Sequence, residues 1–176
     1  MANVNMPNGF RPYVSLSGRP PVVQSFTLVS NNTAVGIGTP VTFGADGVNI
    51  ATAGDANALC GIAAEAKAAS AGGTIKVWAD PNQLFIAQTD DGTGTATTAA
   101  AVDLNINFIG TGVTNGIGTS ELDESSANTN ATYQFKIIKL ADEINGKAVN
   151  AYGEFNRFVV AINNHQFKGH TGTAGV

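Results

Sequence analysis

The 176-residue chain contains one cysteine, Cys60, so no internal disulfide framework can form. Its two histidines, His165 and His170, have no Cys, Asp or Glu between them. A zinc site needs three or four convergent ligands, so no metal is expected. Charged residues make up only 12% of the chain, against roughly a quarter in ordinary soluble domains. A surface built from Asn, Thr and Gly instead suits a protein that spends its life packed in an assembly. The nine Lys and Arg never gather beyond two in a short window, and the net charge is −4. A protein that tracks phosphates needs a basic face, so no nucleic-acid partner is expected. No apolar run reaches membrane-spanning length, and the polar start MANVNMPNGF lacks the basic–apolar–small pattern of a signal peptide. The expectation is a soluble chain made in the cytoplasm, with no membrane partner.

Catalytic constellations are equally scarce. A thiol nucleophile needs a base that lowers its pKa. Cys60 sits between Leu59 and Gly61-Ile62, far in sequence from either histidine, and reads as a buried structural cysteine. The Gly-x-Gly pairs Gly36/Gly38, Gly92/Gly94, Gly110/Gly112 and Gly116/Gly118 lie among strands without a following helix to hold phosphate, and read as turns. Asp90-Asp91-Gly92 falls short of the six or more oxygens of a calcium site. Glu121, Asp123 and Glu124 form an acidic turn. One Trp and three Tyr leave too little aromatic lining for a glycosidase cleft. No enzyme class and no cofactor is expected.

What the chain does have is strand-forming material. Hydrophobic residues make up 43% of it, enough for a core, and 21 glycines supply turns. The clearest unit is Gly72–Asp91: an alternating strand Thr74–Ala79, a turn at Asp80-Pro81-Asn82 and an apolar strand Gln83–Gln88, together read as a hairpin. Ile75, Val77 and Ala79 face one way. Trp78 faces the other, either under a second sheet or at a subunit contact. Further strands are expected at Val22–Val29, Val41–Phe43, Val48–Ala51, Thr132–Leu140 and Phe155–Ile162. A Gly44–Gly47 hairpin turn is also expected. Val102–Ile109 alternates most cleanly, with Val102, Leu104, Ile106 and Phe108 inward. Residues 58–71 leave two readings open, a strand from Leu59 to about Ala66 or a short helix favoured by the alanines. Gly110–Thr119 reads as a flexible turn region, and Glu121–Ser125 as a single helical turn.

Eight to ten short strands without βαβ spacing predict a mostly β fold, an antiparallel β-barrel or β-sandwich. Its parts are an extended N-terminal arm (1–21), a body (22–163) that can divide near 90–101, and a C-terminal tail (164–176). Pro7, Pro12, Pro20 and Pro21 keep the arm irregular. It either folds back over its own core or grips a neighbouring subunit.

Several segments resemble, in one order along nearly the whole chain, structural proteins of tailed bacteriophages. MANVNMPNGFRPY resembles the start "MANxNxPxGFRP", and ADPNQLFIAQTD (79–90) resembles "DDPxxxFxxQxD". GTSELDES (118–125) with YQFKIIKLAD (133–142) resembles "G-x-S-x-x-x-LD-x-S … FRILGLVD". AINNHQF…TAGV (161–176) resembles "INxHxx…AGV". Residues 142–154 depart from the pattern. Such proteins are similar to head decoration (cement) proteins encoded beside the major capsid protein.

The resemblance implies a virion structural protein on the outer surface of the capsid, with the major capsid protein as partner. It leaves open a dimer or trimer on the shell. Phe10, Arg11 and Tyr13 of the arm are the expected capsid-binding residues, and deletion of residues 1–20 is expected to abolish binding while leaving a folded protein. Two other readings remain: a host-glycan-binding adhesion module using Trp78, and a tail tube or fibre subunit.

Overall fold

The structure is a computed structural model and describes residues 3–54, 57–90, 98–141 and 150–168. Its strands are β1 (Arg11–Ser15), β2 (Val23–Thr27), β3 (Pro40–Gly44), β4 (Gly47–Ile50), β5 (Gly61–Ala63), β6 (Thr74–Trp78) and β7 (Gln83–Gln88). They continue with β8 (Asn105–Ile106), β9 (Phe108–Ile109), β10 (Val113–Thr114), β11 (Ile117–Gly118), β12 (Glu121–Leu122), β13 (Phe135–Leu140) and β14 (Arg157–Ile162). Short 3-10 turns occupy Ala99–Ala101 and Glu124–Ser126.

The fold is mostly β and its sheets are antiparallel. One five-stranded sheet runs β1-β7-β14-β13-β8 and the other β2-β6-β5-β3-β4, with two-stranded ribbons β10-β11 and β12-β9. This is a sandwich arrangement, and among the described residues no sheet closes into a barrel.

The main core lies between the sheets. Phe85, Phe135, Phe158, Val160 and Ile162 come from the first sheet, and Ile62 and Trp78 from the second. Phe10, Phe85, Phe108, Phe135 and Phe158 are all fully buried. Each contributes about 1.5–3 kcal/mol of transfer free energy. A second cluster, with Ile75, Val77, Val41 and Val48, lies on the other face of the second sheet. Period-two alternation along β6 therefore feeds two different cores. Trp78 packs under the opposite sheet.

The Gly72–Asp91 hairpin is corrected by the pairing. β6 pairs with β2 and β5, whereas β7 pairs with β1 and β14. The turn carries the chain from one sheet into the other. It is closed by Gln83 N–H donating to the Asp80 carbonyl and by Asn82 N–H donating to Asp80 Oδ1, both at 2.9 Å. A turn signal between two strands fixes a reversal of direction, not the partner each strand finds.

Other elements also resolve. Residues 58–71 contain the short strand β5 and no helix. Gly61 there has φ 154°, and a Cβ would lie 2.3 Å from the Trp78 carbonyl oxygen, so only glycine allows the two backbones to meet. Val102–Ile109 is not one strand: Asp103, with φ 75°, keeps 102–104 out of it, and the pairing changes at Asn107, which is buried rather than outward, so that β8 pairs β13 and β9 pairs β12. Ile106 and Phe108 are buried as expected. Gly110–Thr119 holds the hairpin β10–β11 across Asn115-Gly116, both at positive φ. Asn-Gly between apolar residues is a hairpin signal that the reading as a flexible turn passed over.

Both chain ends depart from expectation. Residues 11–15 are not irregular, since β1 forms the edge of the first sheet, where the missing N–H of Pro12 is tolerated. Residues 164–168 are bound to the second sheet. Leu59 N–H donates to the Asn164 carbonyl and Gln166 N–H to that of Leu59, each at 2.8 Å. The Gln166 side chain also accepts from Phe43 N–H and donates to its carbonyl, in place of a strand. Residues 169–176 of the predicted tail, His170 and most of the departing 142–154 loop lie outside the described residues.

Candidate docking surface

Of the nine large apolar side chains exposed among the described residues, seven lie between positions 4 and 23: Val4, Met6, Tyr13, Val14, Leu16, Val22 and Val23. Leu16 is 66% exposed and Val4 63%. The stretch contains β1, the edge strand of the first sheet, and ends on Val23, the first residue of β2 at the edge of the second. An edge strand keeps a row of unpaired backbone groups and one uncovered flank, which leaves Tyr13, Val14 and Val23 open, while Val4, Met6, Leu16 and Val22 lie in the connections around these strands. Exposed apolar clusters of this kind mark interaction surfaces.

The same segment walls a groove on the outer face of the first sheet. Its volume is about 430 Å³, and Met6, Arg11, Tyr13, Ile86, Gln88 and Arg157 are among its lining residues. The register explains the grouping. Arg11 of β1 stands opposite Ile86 of β7, and Arg157 of β14 stands opposite Gln88, two residues further along. Residues two apart on a strand share a face, so both guanidinium groups rise on the same side of β7. Burial lowers the pKa of Arg11, which stays charged. The ion pairs among the described residues are Lys67–Glu65 and Lys136–Asp103, and neither arginine takes part in one.

Gln88 ties the groove to the N-terminal segment. Its Nε2 donates to Asn5 Oδ1 and to Glu121 Oε1, both at 3.0 Å, and its Oε1 accepts from Met6 N–H at 3.0 Å. Glu121 is pushed up to about 7. Burial is the main cause, the Gln88 hydrogen bond opposes it, and Asp90 adds to it. Across the same face, Lys139 Nζ lies 6.0 Å from the centre of the Tyr13 ring.

Of the three expected contact residues, Arg11 and Tyr13 are at this surface. Phe10 is not. It is fully buried, stacked on Phe135 and edge-on to Phe108, so it anchors the segment to the chain's own core. Arg157 and Ile86 escaped the sequence reading because only strand pairing brings them beside Arg11.

Other candidates carry less. The Cys60 thiol is pushed up to about 12 by burial and holds no thiolate at neutral pH. His165 is buried and neutral, with Nδ1 accepting from Phe167 N–H. Trp78 is partly buried and packs against the main core. Among the described residues no three His, Cys, Asp or Glu converge as metal ligands, and no helix is long and apolar enough to cross a membrane.

No family model, no curated protein and no solved structure matches the chain.

Proposed function

We propose that the chain is a virion structural protein that docks through residues 4–23 and the adjoining groove on the outer surface of a phage head, reinforcing the shell of major capsid protein. The observation that carries the docking part is the gathering of exposed apolar side chains on one segment that holds the edge strand of the first sheet and leads into that of the second. A stable interface uses about 20–30 residues a side. Residues 3–23 without the buried Gly9, Phe10 and Ser15, together with Ile86 and Arg157, come to about the lower end of that range. The capsid as partner rests on the ordered resemblance of the N-terminal, 79–90, 118–142 and C-terminal segments to head decoration proteins.

The mechanism is binding without chemistry. Each copy covers apolar area left bare on itself and on the shell, and the area buried adds to the free energy that opposes shell rupture. A net charge of −4 and few cations suit a site outside the shell, away from packaged DNA.

Electron cryo-microscopy of the intact particle that carries this chain tests the reading. The expected result is density on the outer shell surface with residues 4–23 against capsid protein. Density confined to the tail, or no copies on the particle, overturns it.

A further inference from the structure

The groove on the outer face of the first sheet has a chemistry that the docking role leaves unused. Arg11 is half-buried and Arg157 partly covered, both line the groove, and neither has an acidic partner among the described residues. A guanidinium taken partly out of water without a counter-charge is a standing cost, and it is relieved when an anion arrives. The register puts the two residues on strands flanking β7, so their Cα atoms are about 10 Å apart across the sheet and about 7 Å along it. Two arginine side chains span that gap and can meet over one carboxylate.

We propose that this groove receives a carboxylate side chain from an acidic, extended segment of the docking partner, held in a fork between Arg11 and Arg157. The proposal deepens the docking reading and rests on it for the identity of the partner. Planar guanidinium groups match a carboxylate with paired, charge-assisted hydrogen bonds. The remaining lining favours a peptide over a bare phosphate: Met6 and Ile86 give an apolar wall for the residue next to the acid. A volume of about 430 Å³ holds one or two side chains. Of the other polar side chains in the lining, Asn8, Tyr13 and Gln88, the last is already engaged by Asn5, Met6 and Glu121. Glu121 is the acid described just beyond it, and its bond to Gln88 turns it toward that amide.

The test uses the isolated full-length chain labelled with nitrogen-15, so that it fails separately from the virion reading. The probes are a blocked Glu-Val-Glu-Val peptide, the matching Gln-Val-Gln-Val peptide and inorganic phosphate, at low salt. The acidic peptide is expected to shift the Arg11 and Arg157 Nε–H signals saturably. The amide peptide should leave them in place, and phosphate should act at least tenfold more weakly. Arg11→Gln or Arg157→Gln should weaken the acidic peptide by about tenfold or more, the loss of one charged hydrogen bond. Arg157→Lys, which keeps the charge and loses the fork, should fall between. No shift with the acidic peptide, equal shifts with its amide counterpart, or equal affinity for phosphate each overturns the proposal. A saturable groove on a chain absent from particle exteriors would sustain the carboxylate site and remove the capsid reading.

Discussion

The ring of Phe10 lies almost flat on that of Phe135, with 4.4 Å between centroids and 12° between planes. Phe135 begins β13, in the interior of the first sheet, and Phe10 comes from the segment just before β1. The N-terminal segment is therefore fastened at its middle, by Phe10 in the core and by Phe10 N–H donating to the Gly38 carbonyl at 2.9 Å. In β1, which follows, Tyr13 and Val14 remain exposed.

Removing that anchor should unfold the protein before it reports on docking. Phe10→Ala is expected to cost about 3–5 kcal/mol, the usual price of emptying a buried aromatic site. Urea denaturation measures it. Deleting residues 1–20 removes both Phe10 and β1, so a folded, binding-deficient product is no longer the expected outcome. A truncated chain as stable as the full one would show that the stacked pair contributes little.

Docking is better probed from the outside. Tyr13→Ser, Leu16→Ser and Val23→Ser act on exposed side chains, so each should change stability by about 0.5 kcal/mol or less. Combined, they should lower binding to capsid shells at least tenfold in a co-sedimentation assay. Unchanged binding by a folded triple variant would move the interface elsewhere.

Acid should loosen the C-terminal end of the described chain. Burial is the main cause that lowers His165 to about 4, with Asp80 opposing and Lys168 adding. An unfolded chain takes up this proton near pH 6.5, while the folded one resists until about pH 4. Stability is therefore full above pH 6.5 and falls as pH drops toward 4, by up to about 3 kcal/mol for the 2.5-unit gap. Protonation of Nδ1 also ends its acceptance of the Phe167 N–H. Thermal melts across pH 4–7 should show the loss, and His165→Gln should flatten it. An equal slope in the variant would assign the acid effect to other groups.

Glu121 runs the opposite way. Its folded pKa of about 7 lies above the ordinary value of 4.5, so the folded state holds a proton that the unfolded chain has released. The contribution is present below pH 4.5 and is lost as pH rises through 7. Glu121→Gln keeps an acceptor for Gln88 and removes the charge. Because the side chain is partly exposed and water screens it, the variant should gain only about 1 kcal/mol at pH 8, or about 2–4 °C in Tm. It should gain nothing at pH 4.5. Melting curves at the two pH values decide it, and a loss at pH 8 would mean that the carboxylate form is the stabilising one.

The amino-acid sequence by itself determined where most strands lie and which side chains turn inward. Gln83–Gln88 forms a strand with those same ends, Gly44–Gly47 closes β3 onto β4, and Ile106 and Phe108 are buried as their alternation requires. Period-two patterning and turn chemistry are local properties, written within a few residues. Only the tertiary structure decided which strands are neighbours. It separates β6 from β7 into two sheets, places Arg157 across β7 from Arg11 although 146 positions separate them, and sends Phe10 inward while Tyr13 stays out. Those outcomes depend on which distant apolar faces can be covered together, and no short stretch of sequence carries that information.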